Sequence, residues 1–429
     1  MRLVSTRDSA HHTTFLDAVE RSLAPGGGLY LPDPIPCFVD VDHLLEDLSA
    51  PARRAEILWR MLGDEIPREE LEALSASAFD FPVRLTAVAP RNFALELFHG
   101  PTLAFKDFGA RFLARVLSRI RAQDGRDRMI LTATSGDTGA AVASAFHGLP
   151  GFQAVVLYPK GGVSDLQERQ FATLGGNVRA LAVDGTFDDC QALAKAAFAD
   201  AELSRKHGLT SANSINIARL LAQVLYYWDG VALLREAGIG DPPVFAVPSG
   251  NFGNLCAGLL AQRMGLPVKA FVLATNANTT VPDFLDGAPY TPKPSVATLS
   301  NAMDVGAPNN WERIQNLFGN DLYSLRQALR WGFKNDADTK RSIRELMGMG
   351  YLADPHAAVA YAVLEDRLGL SETGVFLGTA HPAKFLPVYE PMGIPVPIPE
   401  SLQALRDRPL LSKEIPNELA AVRQALEDS

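Results

Sequence analysis

The chain has 429 residues, of which 47% are hydrophobic and 21% charged, a globular balance that excludes a disordered, collagen-like or low-complexity protein. Its 40 basic and 49 acidic residues leave a formal charge of −9, which argues against a nucleic-acid binder. Three scattered cysteines (Cys37, Cys190 and Cys256) form neither a disulfide framework nor a zinc knuckle, so a reducing cytoplasm is the expected setting.

The opening MRLVSTRDSAHHTTF lacks the apolar run of a signal peptide. No unbroken apolar run approaches the ~20 residues of a spanning helix, so no membrane partner is expected. Residues 1–95 read as a mainly helical N-terminal domain with a little strand. APGGG is a turn, and RRAEILWRMLGDEIPREELEALSASAF carries a helical pattern. From Arg91 the pattern changes. NFALELF alternates as a strand, and KDFGARFLARVLSRIRA places Phe108, Phe112, Leu113, Val116, Leu117 and Ile120 on one helical face. Strands MILTAT, AVVLYP, VRALAV, VFAVPSG and VKAFVLATNAN then alternate with helices. That pattern predicts an α/β fold with mostly parallel sheets covered on both faces. Residues ~280 to ~350, rich in Pro, Asn and Asp, read as a looser stretch that is either functional or a subdomain excursion. After Pro391 the chain is proline-punctuated, then helical.

Three strand-to-helix turns stand out: TSGDTGAAV (134–142), PSGNFGN (248–254) and GTAHPAKF (378–385). Such turns lie at the carboxyl ends of parallel strands, where ligands bind. GNFGN can offer several backbone N–H groups at a helix start, a natural seat for phosphate, although glycine is common in plain β-α turns too. In SGDTG, Ser135 and Thr138 could hold a second anion. The same residues, with Thr134 and Asp137, also suit simple capping. Lys106 lies between Phe105 and Phe108, where an apolar pocket favours its neutral, nucleophilic form. An arbitrary lysine at a helix start more often snorkels to solvent. Asn213, Ser214, Asn216 and Arg219 gather at another helix start, where Arg219 could clamp a phosphate or carboxylate or simply lie on the surface. The histidines show no ligand spacing, so no metal site is expected. No GxSxG, Walker or GxGxxG motif occurs.

Together these segments resemble the threonine synthase family of fold type II pyridoxal-phosphate enzymes. Five match in chain order: STR with GGLYLP, HGPTLAFKDFG, TSGDTG, PSGNFGN and GTAHPAKF, with LTSANSINIAR between the third and fourth. The resemblance implies two open, mostly parallel α/β domains plus the helical N-terminal domain. A catalytic region would span 96–390, with a smaller subdomain at about 110–225, followed by a C-terminal tail at 391–429. It implies pyridoxal phosphate as cofactor, covalently joined to Lys106. Gly250, Asn251, Phe252, Gly253 and Asn254 would cradle its phosphate, and Thr379 would meet its pyridine nitrogen. Asp137 stands near its 3′-oxygen, where the wider fold type II pattern has asparagine. An ionised aspartate accepts hydrogen bonds and donates none, so it would need a proton or a water there. Thr134, Ser135, Thr138, Asn213, Ser214 and Arg219 match the family's substrate-phosphate pocket.

The implied reaction converts O-phospho-L-homoserine and water to L-threonine and phosphate by γ-elimination and β-addition, with Lys106 as base. A monomeric, cytoplasmic enzyme with a small-molecule substrate is expected. The rival readings are a β-eliminating lyase or dehydratase on a hydroxy or phosphorylated amino acid, a non-catalytic metabolite-binding homologue, and a plain structural protein.

Overall fold

The computed structural model describes residues 1–427. Its frame is two sheets whose central strands are buried along nearly their whole length. Val244–Pro248, Gly374–Gly378 and Arg128–Ala133 have every residue buried, as parallel strands with helices on both faces require. The larger sheet runs in the order Leu329–Phe333, Ala270–Thr275, Val244–Pro248, Gly374–Gly378, Asn92–Glu96, Arg84–Ala89. It is parallel except for the antiparallel edge hairpin made by its last two strands. The smaller sheet is wholly parallel, in the order Lys413–Pro416, Val178–Asp184, Phe152–Pro159, Arg128–Ala133, Leu209–Ser211.

Two helices hold the frame together. Lys106–Asp124 buries the apolar face that its periodicity predicts and ends at Gly125 in a left-handed cap. Ile217–Glu236 packs between it and Gly253–Arg263. This 20-residue helix is apolar enough to cross a membrane by length and composition, although its sequence is interrupted by polar residues. Here 94% of its most apolar window is buried inside the protein, so it is a core helix.

The N-terminal segment contains the antiparallel sheet His12–Thr13, Leu3–Ser5, Tyr30–Pro32 and the helices Ala50–Leu62 and Arg68–Ala78. Its tie to the central helix is electrostatic. Asp229 accepts from Arg54 Nε at 2.7 Å and from Arg53 Nε at 3.2 Å, with all three side chains buried. The remaining guanidinium donors reach the carbonyls of Leu44, Leu45, Leu48 and Phe79.

The stretch 280–350 is more regular than its composition suggests. It holds the helices Thr280–Leu285, Trp311–Leu317, Leu322–Ala328 and Asp336–Gly348, and its strand Leu329–Phe333 joins the larger sheet. The reason is local: Asp321 and Asn335, which read as loop residues, are N-caps that accept helix N–H groups. The C-terminal residues likewise do more than trail. Lys413–Pro416 forms an edge strand of the smaller sheet, and Leu419–Glu427 packs on the helix Phe187–Ala199.

Removing Asp229 would leave two buried guanidinium groups without a counter-charge. Asp229→Ala is therefore expected to destabilise the protein by about 3–5 kcal/mol. Chemical denaturation of the two proteins checks this through the change in midpoint at constant slope.

Candidate active site

Where the carboxyl ends of both sheets meet, they enclose a cavity of about 870 Å³. Lys106, at the first turn of its helix, opens into it. The chain before it is fixed by a bridge between Ala104 and Ala380 and by Phe105 N–H donating to the Thr379 carbonyl at 2.8 Å. These contacts bring Lys106 and Thr379 to the same wall. Burial, the largest influence, lowers the Lys106 amine to about 8. Asp137 opposes this, while Lys384 and Arg219 add to it. At pH 7 roughly a tenth of such amines are neutral and nucleophilic.

Asp137 lies opposite, with Oδ2 3.8 Å from Lys106 Nζ. Its other oxygen accepts from Lys384 Nζ at 2.7 Å and from Gln167 Nε2 at 2.9 Å. Burial alone would raise this carboxyl. The two ammonium groups and the two hydrogen bonds outweigh it and hold Asp137 ionised, well below the usual carboxylate range. Gly136, at φ +133°, lets Gln167 approach, since a Cβ there would sit 2.6 Å from the Gln167 amide. Lys384 is fully buried and also donates to the Thr102 carbonyl at 2.8 Å. Thr102 in turn donates its N–H and hydroxyl to the buried Asp107, at 2.9 and 2.6 Å. Burial raises Asp107 to about 6, against those hydrogen bonds.

The PSGNFGN turn leaves strand Val244–Pro248 and enters helix Gly253–Arg263 through Phe252, which takes a left-handed φ of 61°. Gly250, Asn251, Phe252, Gly253 and Asn254 all line the cavity, with the unpaired N–H groups of a helix first turn among them. A Cβ on Gly250 would stand 2.6 Å from the Ala302 carbonyl oxygen, so only glycine fits under the 300–305 loop. The Asn254 carbonyl oxygen of the side chain accepts from the hydroxyls of Tyr226 and Tyr227 at 2.6 and 2.7 Å, which leaves its buried Nδ2 without a partner. The Asn251 carbonyl accepts from Asn310 N–H and Nδ2 at 3.2 and 3.0 Å.

Ser135, Thr138, Asn213, Ser214 and Arg219 line the neighbouring part of the cavity. Arg219 is buried with no carboxylate, so burial lowers its guanidinium to about 10. One Nη donates to the Ala212 carbonyl, and Nε has no partner. A buried cation in this condition calls for an anion. Thr134 differs from the expectation. It is fully buried and does not line the cavity, because its hydroxyl oxygen accepts from the N–H groups of Gly136 and Gly139 at 2.9 and 2.8 Å and so holds the turn itself. Asn216 is likewise turned inward, donating to the Val19 and Ser211 carbonyls and to Ser22 Oγ.

Several site residues went unread in the sequence. Lys384 sits inside the quoted GTAHPAKF, yet its type and spacing alone do not single it out. Asp354 accepts from Thr379 N–H at 3.2 Å and from the Thr379 hydroxyl at 3.4 Å while capping helix Pro355–Arg367. His356 meets Asp354 at 2.8 Å through Nδ1 and accepts Ala302 N–H at 3.2 Å through Nε2. That network assigns a neutral ring with its proton on Nδ1. Arg313, fully buried, donates to the carbonyls of Tyr30, Ser214 and Ile215 and to Asn310 Oδ1. It thereby ties the N-terminal segment to both anion-facing turns.

Lysine, aspartate and two turns rich in anion donors form the chemical setting of a phosphate-bearing aldehyde cofactor. The unpartnered Asn254 Nδ2, the helix first turn and the close fit at Gly250 suit its phosphate. Comparison with known proteins agrees. A family model described as pyridoxal-phosphate dependent enzyme matches residues 88–377. Models of the threonine synthase N terminus and C-terminal region match 2–79 and 357–426. The threonine synthase of Haemophilus influenzae is 50% identical, over 99% of each chain. Among solved structures, threonine synthase from Escherichia coli superposes with a TM-score of 0.95 at 49% identity, covering all of both chains. The pyridoxal-phosphate-bound threonine synthase from Brucella melitensis gives 0.91 at 34% identity, covering 100% of this chain and 99% of that one.

Gly250→Ala must displace the 300–305 loop or the turn. It is expected to weaken binding of a phosphate-bearing cofactor by about tenfold or more, a loss of ~1.4 kcal/mol, while the protein stays folded. Equilibrium titration of the cofactor into the variant, followed by absorbance, checks this.

Proposed function

Because this chain belongs to the threonine synthase family of pyridoxal-phosphate-dependent enzymes, we propose that it converts O-phospho-L-homoserine and water to L-threonine and phosphate in the cavity around Lys106. It is a pyridoxal-phosphate-dependent lyase. The observation that carries the substrate assignment is the presence of two separate anion seats in one cavity. One is the turn from Gly250 to Asn254, and the other is the cluster of Ser135, Thr138, Asn213, Ser214 and Arg219. A cofactor with one phosphate fills one seat, and a phosphorylated amino acid fills the other.

When bound, pyridoxal phosphate supplies an aldehyde carbon for the Lys106 amine and a conjugated ring that accepts the electron pair left by α-proton removal. The chain's own residues do the rest. The Gly250–Asn254 turn would anchor the cofactor phosphate through backbone N–H groups and Asn254 Nδ2. Thr379, its hydroxyl held only by a long bond to Asp354, would meet the pyridine nitrogen. Lys106 would serve as the base that takes the substrate's α-proton, and its depressed basicity suits that work near neutral pH. Arg219 holds the substrate phosphate. As that group departs with its bonding electrons, negative charge grows on an oxygen beside a guanidinium with no other counter-ion, so the interaction strengthens along the reaction. Thr134 acts one step back, by shaping the turn that presents Ser135 and Thr138.

The catalytic region is read as two α/β units with the cavity between them. The smaller is read at about 110–225 and carries the wholly parallel sheet. Asn301 Nδ2 donates to the Ser135 carbonyl at 3.3 Å and Ser295 Oγ to Asp188 at 3.2 Å across the outer margin, while Ser164 Oγ to the Lys384 carbonyl at 2.6 Å, Gln170 Nε2 to the Thr102 carbonyl at 2.9 Å and the Lys384–Asp137 pair join the units in the interior.

Incubation with O-phospho-L-homoserine is expected to release phosphate and threonine in equal amounts. Keto acid and ammonia would instead place the enzyme among the eliminating lyases. Borohydride treatment of the holoenzyme is expected to leave the label on Lys106, as read by peptide mass analysis. Arg219→Ala is expected to raise KM for the substrate by about a hundredfold, corresponding to ~3 kcal/mol for a charge-assisted contact. Cofactor affinity should change far less, and equal losses would put Arg219 at the other phosphate.

A further inference from the structure

Lys384 poses a problem that the reaction does not answer. Its ammonium is fully buried, and burying a charge is unfavourable unless something nearby needs it. Asp137 already has Lys106 opposite one oxygen and Gln167 on the other, so Lys384 is a second cation on a carboxylate that has a first. The ammonium is also fixed in place. It is clamped between Asp137 Oδ1 at 2.7 Å and the Thr102 carbonyl at 2.8 Å, on the short turn Pro382–Phe385.

We propose that Lys384 is a positioning residue that neutralises Asp137 and so weakens the hold of the Lys106 nitrogen on its proton, leaving more of the amine ready to attack the cofactor aldehyde. This rests on the pyridoxal-phosphate reading above and deepens it. The geometry gives the sign. Asp137 alone, at 3.8 Å in a buried site, would hold a proton on Lys106, and the second ammonium on the same carboxylate opposes that pull. The other charged groups near Asp137 do not substitute for it. Arg219 lies in the substrate-phosphate part of the cavity, the Asp107 carboxyl is turned to Thr102, and Asp354 is engaged with His356 and Thr379. Gln167 donates a hydrogen bond to Asp137 but brings no charge.

The arrangement also answers how an ionised aspartate can stand where other fold type II enzymes use asparagine. The Asp137–Lys384 pair is neutral as a unit, so the site carries no net charge there beyond that of Lys106.

The test is the rate at which the cofactor-free full chain captures pyridoxal phosphate. The neutral Lys106 amine adds to the aldehyde carbon, a carbon–nitrogen double bond forms and water leaves. A protonated amine has no lone pair for this step, so the rate follows the neutral fraction. Visible absorbance after rapid mixing is read from about pH 6 to about pH 10. Lys384→Gln keeps a donor for Asp137 and removes the charge. Its profile is expected to move about one pH unit alkaline, with capture about tenfold slower at pH 7 and merging with the unaltered protein at the alkaline end. Lys384→Arg keeps the charge and is expected to follow the unaltered protein. A Lys384→Gln profile that coincides with the unaltered one overturns the proposal, as does a Lys384→Arg profile displaced like that of the glutamine variant. If Lys384→Gln does not fold, Lys384→Met takes its place, with the same alkaline shift expected and an unshifted profile again overturning the proposal. An unaltered chain that develops no visible absorbance at any pH overturns the cofactor reading itself, a result distinct from an unshifted variant.

Discussion

An excess of buried positive charge governs this molecule. Lys106 and Arg219 line one cavity with the carboxylate of Asp137, Lys384 is buried behind that carboxylate, and Arg313 lies nearby with no acid of its own. Folding this constellation without a ligand is unfavourable, because cations removed from water lose solvation that carbonyl oxygens only partly replace. The rest of the structure exists to hold that arrangement: two sheets with buried strands, a central helix covered along its length, and turns built to a fit of a few tenths of an ångström. A site under such strain is filled most favourably by anions, and a phosphorylated cofactor with a phosphorylated substrate supplies two.

The N-terminal segment belongs to this arrangement and is not an appendage. Through Tyr30 and Arg313 it reaches the loop of Ser214 and Ile215 and, by way of Asn310, the turn at Asn251. Arg7 and Thr6 bind Glu312 in the same short helix. Through Arg53, Arg54 and Asp229 the segment is also fixed to the helix whose first turn carries Arg219. Its STR and GGLYLP motifs thus act at a distance on the geometry of both anion seats.

Much of the frame was legible in the sequence because it rests on local signals. Apolar runs of strand length and the 3.6-residue stripe of Lys106–Asp124 report directly on burial. The anion turns were visible because glycine and hydroxyl residues cluster there. What escaped notice depends on contacts across the fold. Lys384 gains meaning only when the Pro382–Phe385 turn comes to rest beside Asp137, and Asp354 only when its helix cap reaches Thr379. Thr134 was assigned to substrate because a hydroxyl in a glycine turn serves ligand and backbone equally well, and composition does not say which. The 280–350 stretch reads as looser than it is for a related reason: asparagine and aspartate mark both loops and the helix starts that follow them.

The smaller sheet is completed by a strand that arrives very late. Val178–Asp184 waits for Lys413–Pro416, so during synthesis its outer edge stays bare while the whole larger sheet and most of the cavity walls are being made. An open parallel edge invites pairing with whatever extended segment is nearby. The nascent chain therefore carries a half-built layer until residues 413–416 have been made. Maturation of the smaller sheet is in this way tied to synthesis of a strand more than two hundred residues downstream of its partner.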